Sequence, residues 1–276
     1  MFKSWLRTGG KITCVAVVAL GVGESADAGT VHVYANDPVT GDIYPGTDPI
    51  LADSGWRYAN TTAAGKVGVS GDLARDGNGS IYFSGANNNS KADISYSPGG
   101  VLGLLSELTS LSFDWIRTGG TARANLAPAI RVKVTVGDGK FAKTGYLVWE
   151  PVYNGFSTIP LDEWTTSDAI GGAFWATKPL AGNSGPDTFK DLDYWMGSLG
   201  ADAKVVGFEV GIGSGWGGSF TGAVDNIGFG FNGQSTIYNF EVSPTAAVPE
   251  PGSIAMGLIA GGVGLAAAAW RRRRVG

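Results

Sequence analysis

The residues with the most chemistry to offer are oxygen donors near the end of the chain. Asp225 sits among Val224, Ile227 and Phe229. A carboxylate in apolar company needs a partner, because burying an unpaired charge is costly. One solution is a hydrogen bond to loop N–H groups or to an arginine. The other is calcium, a hard cation that takes about six to eight oxygen ligands. Asn226, Asn239 and Glu241 are near in sequence or across a strand pair, so Asp225, Asn226 and Glu241 form the candidate calcium set. A second group is aromatic. Trp216 stands alone in the run Gly211-Ile212-Gly213-Ser214-Gly215-Trp216-Gly217-Gly218-Ser219. Glycines have no side chains with which to bury an indole, so this ring is expected to be at least partly exposed. An accessible indole can stack on the face of a sugar. The opposing reading is a plug over the open end of the core. Trp149, Trp164 and Trp175 are further stacking candidates.

Other chemistries lack their parts. His32 is the only histidine, and the one cysteine, Cys14, lies near the N-terminus, so a zinc site has too few ligands. No Gly-x-Ser-x-Gly elbow accompanies His32, and no phosphate loop or dinucleotide fingerprint occurs. Glu150 and Glu163 supply the two carboxylates a glycosidase requires, but any acidic chain offers such a pair. The expectation is therefore a protein that is not an enzyme. Residues 29–248 hold 13 Lys and Arg against 21 Asp and Glu. That balance excludes nucleic acid or anionic lipid as a partner drawn by overall charge.

The elements that must position these residues are strands. Glycine at 45 of 276 residues disfavours helices and suits turns and tight strand packing. Ser110–Ile116 and Ile130–Val136 alternate apolar and polar residues, the pattern of strands with one buried face. Gly145–Tyr153 sets Leu147 and Trp149 against Tyr146, Val148 and Tyr153, and Lys204–Ile212 sets Val206, Phe208, Val210 and Ile212 against polar or small residues. Shorter strands are expected at Val31–Tyr34, near Trp56 and Tyr58, and at Lys66–Ser70, Ile81–Ser84, Ala92–Tyr96, Ala223–Phe231 and Thr236–Glu241. Thr188–Leu199 shows the spacing of a helix, with Phe189, Leu192, Trp195, Met196 and Leu199 as its packed stripe. Many short strands with glycine-rich turns indicate an all-β fold: an antiparallel two-sheet sandwich, a jelly roll, in one domain at 29–242.

Both ends read as addresses. Lys3, Arg7 and Lys11 precede the apolar run Ile12–Gly23, and Ala26-Asp27-Ala28 offers the small residues a signal peptidase reads. Residues 1–28 are thus expected to be a signal peptide cut after Ala28. Lys11 stands where a lipoprotein signal would place a leucine before Cys14, so lipidation is not expected. Cleavage leaves a mature chain without cysteine. At the other end, residues 243–252 form a tether, and Ser253–Trp270 is uncharged on every face. The run reaches the lower part of the roughly 17–25 residues that span a bilayer. Arg271, Arg272, Arg273 and Arg274 follow within the basic tail 271–276, and such a cluster stays cytoplasmic.

Val248-Pro249-Glu250-Pro251, the apolar run 253–270 and the arginine cluster together resemble the PEP-CTERM sorting signal of Gram-negative bacteria. The resemblance implies an exosortase that cuts at Pro-Glu-Pro, a transient membrane span, and a final place on the cell surface or in the exopolysaccharide and biofilm matrix. The strands, with Lys91-Ala92-Asp93, Leu111-Ser112-Phe113-Asp114-Trp115, Gly145-Tyr146-Leu147-Val148-Trp149-Glu150 and Ala223-Val224-Asp225-Asn226-Ile227, resemble domains found in such proteins, and Val-Asp-Asn-Ile also resembles the last strands of carbohydrate-binding jelly rolls. Three functions follow as expectations: a structural or adhesive matrix protein, a carbohydrate-binding module using tryptophans and calcium, and a polysaccharide-modifying enzyme.

Overall fold

A computed structural model describes residues 28–44, 49–51, 54–177, 180 and 188–244. The signal segment up to residue 27, the Pro-Glu-Pro motif, the apolar run 253–270 and the arginine cluster lie outside the described residues. Among the described residues no helix is long and apolar enough to cross a membrane. The strands in chain order are β1 (Gly29–Tyr34), β2 (Trp56–Ala59), β3 (Gly65–Ser70), β4 (Ser80–Gly85), β5 (Ala92–Tyr96), β6 (Gly103–Leu104), β7 (Leu108–Gly119), β8 (Ala129–Val136) and β9 (Lys143–Trp149). They continue as β10 (Thr165–Asp168), β11 (Phe174–Ala176), β12 (Lys204–Ile212), β13 (Phe220–Phe231) and β14 (Gln234–Glu241), and the helix α1 (Leu192–Leu199) precedes β12.

The strands form two sheets packed face to face. The first has the order β1-β14-β13-β4-β3, with β7 also on β13 and β10 beyond it. The second has the order β11-β9-β8-β12-β5-β2, with β6 beside β12. The chain passes repeatedly from one sheet to the other, as the expected jelly roll requires. Alternation places Phe113 and Trp115 of β7, Ile130, Val132 and Val134 of β8, and Leu147 and Trp149 of β9 in the shared core. Aromatic pairs stitch the sheets together. Phe208 stacks on Phe229 at 4.1 Å, Trp149 meets Phe113 edge-on at 5.7 Å, and Trp56 meets Phe240 at 5.2 Å. Such contacts add about 0.5–1.5 kcal/mol each beyond the area they bury.

Several local expectations are corrected. The sheets are antiparallel except for β1, which runs parallel to β14. Side-chain period is the same in either direction, so alternation says nothing about orientation. In β12 the core position belongs to Val205 rather than Val206, because the pairing with β8 slips between Val205 and Gly207. An extra residue at a bulge moves neighbouring side chains to the opposite face. The helix begins at Leu192, not Thr188, because Asp191 caps it by accepting from the Tyr194 N–H at 2.9 Å. Phe189 lies outside it and packs on Tyr153 at 4.1 Å. The strand expected over Gly145–Tyr153 stops at Trp149, and Pro151–Tyr153 form a 3₁₀ turn.

Candidate functional site

The outer face of the second sheet carries a row of residues across all its main strands, polar from β8 to β2. Cross-strand partners run Trp175, Val148, Arg131, Glu209, Ser95 and Arg57, from β11 to β2. Each is the outward neighbour of a core residue, so the alternation that buries Ile130 and Val132 presents Arg131. Arg131 Nη1 donates to Asp93 Oδ1 at 2.6 Å and to Glu209 Oε1 at 2.9 Å. Asn60 donates to Asp93 Oδ2 at 2.7 Å, and the Tyr146 hydroxyl donates to Glu209 Oε2 at 3.2 Å. Asp93 is 0% exposed and lies over Gly211, where a Cβ would come within 2.1 Å of Asp93 Oδ1. Only glycine leaves that room.

Charge is tightly balanced here. Burial pushes Glu209 up to about 7, Asp93 repels its charge further, and Arg131 pulls the other way. Burial would lower the pKa of Arg131, but Asp93 and Glu209 outweigh it and hold the guanidinium protonated. Glu150, just past β9, is raised by burial while the Trp175 indole donates to its Oε2 at 2.9 Å. Two cavities open on this face. One, of about 320 Å³, is lined by Trp175, Glu150, Arg131, Lys91 and Trp216 among others. The other, of about 490 Å³, is lined by Arg57, Lys133, Ser95 and Ser97 among others. They share Asn60, Tyr146 and Glu209, and so form one cleft.

The tryptophan expectations divide. Trp175 stands in the cleft with its ring fixed by Glu150. Trp149 is 3% exposed and faces the core. Trp216 is 8% exposed, which overturns the expected exposure. The indole turns inward against Phe220 at 5.0 Å, and only its margin reaches the cleft. The flanking glycines permit that inward fold, and Asn88 pins it: its C=O accepts from the Gly215 N–H at 2.8 Å and its Oδ1 from the Gly217 N–H at 2.7 Å. Trp164 lies under the Arg75 guanidinium at 5.8 Å. Glu150 and Glu163 do not share a site. Glu163 sits on an exposed stretch before β10 of the first sheet, and the carboxylate that shares a cavity with Glu150 is Glu209. Sequence reasoning missed Arg131, Glu209, Asp93 and Tyr146. Their one signal was polarity at outward positions of strong strands.

The acidic cluster lies at one end of the first sheet. Asp225 on β13 is 0% exposed. Its Oδ1 accepts from the Phe240 N–H at 2.9 Å, while Oδ2 has no partner among the described residues. Burial pushes its pKa up to about 8, backbone N–H groups oppose this, and the Glu241 charge adds to it. Glu241 accepts from the Asn78 N–H at 2.5 Å and lies against Gly77, with His32 Nδ1 at 3.9 Å. Asn226 departs from the expected ligand set. Its amide donates to Asp76 at 2.6 Å and to Asp114 at 3.0 Å. Asn239, 6% exposed, leaves its Oδ1 unpartnered. Two orphaned buried oxygens on adjacent strands suit a hard cation. Among the described residues, however, no three His, Cys, Asp or Glu side chains are gathered into a metal centre. His32 is half-exposed beside this cluster and has no part in the cleft.

Among curated proteins no sequence matches this chain. The sandwich resembles carbohydrate-binding modules of known structure. One is described as a carbohydrate-binding module of the β-sandwich superfamily with promiscuous specificity, at 16% identity and a TM-score of 0.32, covering 64% of this chain and 58% of that one. Another is a family 11 carbohydrate-binding module from Clostridium thermocellum in complex with a β-1,3-1,4-mixed-linked tetrasaccharide, at 15% identity and a TM-score of 0.34, covering 74% of this chain and 91% of that one. The chain thus spans little more than half the length of the first of these. Residues 247–274 match the PEP-CTERM protein-sorting motif, and the chain is accordingly one addressed for export and for membrane anchoring before sorting.

Proposed function

We propose that this is a non-catalytic adhesive protein of the cell surface or extracellular matrix, holding exopolysaccharide in the cleft of its second sheet. The carrying observation is the Trp175 indole, fixed by Glu150 beside the Arg131–Glu209–Asp93 set. Sugar recognition needs a flat apolar surface together with a few fixed polar groups. Hydrolysis needs a free acid facing a second carboxylate across the scissile bond. Here each carboxylate is already engaged: Glu209 by Arg131 and Tyr146, Asp93 by Arg131 and Asn60, Glu150 by Trp175.

The test is a glycan array probed with the secreted protein and its Trp175→Ala variant. Loss of the indole is expected to weaken binding about tenfold, equivalent to ~1.4 kcal/mol, with the melting temperature little changed. Equal binding by both proteins would remove the cleft from the reading. Release of new reducing ends from a bound polymer would assign the cleft to catalysis instead.

Signal peptidase and an exosortase are the processing partners in this reading, and the membrane holds the chain only transiently. Protein recovered from the surface of a host with the sorting machinery is expected, by intact mass, to lack residues 1–28 and Ser253–Gly276. The full tail on surface protein would contradict release from the membrane. At the opposite end of the chemistry, calcium is proposed as a structural ion on Asp225 and Glu241, with the orphaned Asn239 oxygen taking the place first given to Asn226.

A further inference from the structure

We infer that the polymer held in the cleft is acidic, and that Arg57, Lys91 and Lys133 read its negative groups. The inference rests on the cleft reading above and narrows its ligand class. The cleft crosses six strands from Trp175 on β11 to Arg57 on β2. Five interstrand spacings of about 4.8 Å make a path of about 24 Å, long enough for several sugar rings lying across the strands. Its two ends differ. The β11 end carries the Trp175 indole beside Glu150. The β2 end carries Arg57 and Lys133 with the hydroxyls of Ser95 and Ser97.

Charge at these positions runs against the rest of the molecule. Residues 29–248 have 21 Asp and Glu against 13 Lys and Arg, so a free cation has abundant carboxylates to meet. Arg131 meets two of them, Asp93 and Glu209. Among the described residues no carboxylate lies within ion-pair distance of Arg57, Lys91 or Lys133. These three cations line the cleft, and the carboxylates that line it are held by other donors. Edge protection accounts for a basic residue on an edge strand such as β2. It does not account for Lys133, which sits on the interior strand β8. A planar guanidinium and two mobile ammonium groups along one path complement a chain of spaced anionic groups. The net negative charge of residues 29–248 disfavours an acidic polymer over the molecule as a whole, and the cleft sets three cations without ion-pair partners against that trend.

The test compares a soluble glucuronate oligosaccharide with its carboxyl-reduced neutral form, using the secreted protein. The acidic form is expected to bind at least tenfold tighter, with an affinity that falls as salt rises. The double variant Arg57→Ala/Lys133→Ala should bring the acidic form down to the neutral one without moving the melting temperature, and Lys133→Arg should retain the preference. Equal affinity for the two oligosaccharides, or a double variant that weakens both alike, overturns the charge reading and leaves sugar binding in the cleft intact. Silence of both forms, together with a silent array of neutral and anionic glycans, overturns the cleft reading and this inference with it.

Discussion

Truncating Trp216 to alanine is expected to cost about 3–5 kcal/mol of folding stability, the scale of large-to-small substitution in a packed core. The indole is 8% exposed and meets Phe220 edge-on, and the Arg117 guanidinium lies over that phenylalanine at 5.8 Å. Arg117 is itself fixed, donating to the backbone carbonyls of Ala122, Arg123 and Leu126. The Trp216 carbonyl in turn accepts from the Arg123 N–H at 3.1 Å. Removing the ring therefore leaves a hole that rigid neighbours cannot fill. For a domain of this size the cost corresponds to a fall in Tm of roughly 2–4 °C per kcal/mol. Trp216→Phe should recover most of the loss. A melting point within two or three degrees of the wild type, roughly 1 kcal/mol, would show that the buried contact is not used.

The strongest strands were legible because each buries one face against one core. Leu111, Phe113 and Trp115, or Ile130, Val132 and Val134, carry their pattern within a few residues. β10 and β11 were not legible: Thr165–Asp168 has no apolar alternation, and Phe174–Ala176 is too short to show a period. The Val205 bulge and the parallel pairing of β1 depend on partners far away in sequence. The cleft failed to show for the same reason. Arg131 and Glu209 are separated by 78 positions and meet only through the register of β8 and β12. Trp216 misled because a glycine-rich run was read as giving nothing to pack against. Phe220, which the ring packs on, stands just past the end of that run, and Asn88, which pins the loop, is far away in sequence. Asp225 was legible as a buried carboxylate from its apolar neighbours, and Asn239 and Glu241 as its neighbours across a strand pair, whereas the diversion of Asn226 to Asp76 and Asp114 depends on partners far away in sequence.

Stability is expected to fall as pH rises, and Asp225 should be the largest single cause. Its folded-state pKa of about 8 stands above the ordinary aspartate value of 3.8. The native state then binds more protons than the unfolded chain across that window. The contribution is fully present below about pH 4 and is lost as pH climbs through about 8, at roughly 1.4 kcal/mol per pH unit and on the order of 5 kcal/mol in all. Glu209, raised to about 7, acts in the same direction and has released most of its proton by about pH 8. Glu209 is still half protonated at pH 7, so the slope between pH 7 and 8 belongs mainly to Asp225 with a smaller share from Glu209. Asp225→Asn keeps an oxygen for the Phe240 N–H and has no charge to lose, so its slope across that interval should shrink to the smaller share left by Glu209. Calcium competes with the proton for the same oxygens. Millimolar calcium at pH 8 should raise the Tm of the wild type through binding linkage and leave the Asn variant unmoved. Chemical denaturation in EDTA and in calcium, on both proteins at pH 7 and 8, measures all of this. A sloping wild type that ignores calcium would leave Asp225 as a buried acid held by its proton and the Phe240 N–H. A wild type as flat as the variant would show that Asp225 is ionised and paired in the folded protein, against the orphaned oxygen on which both roles depend.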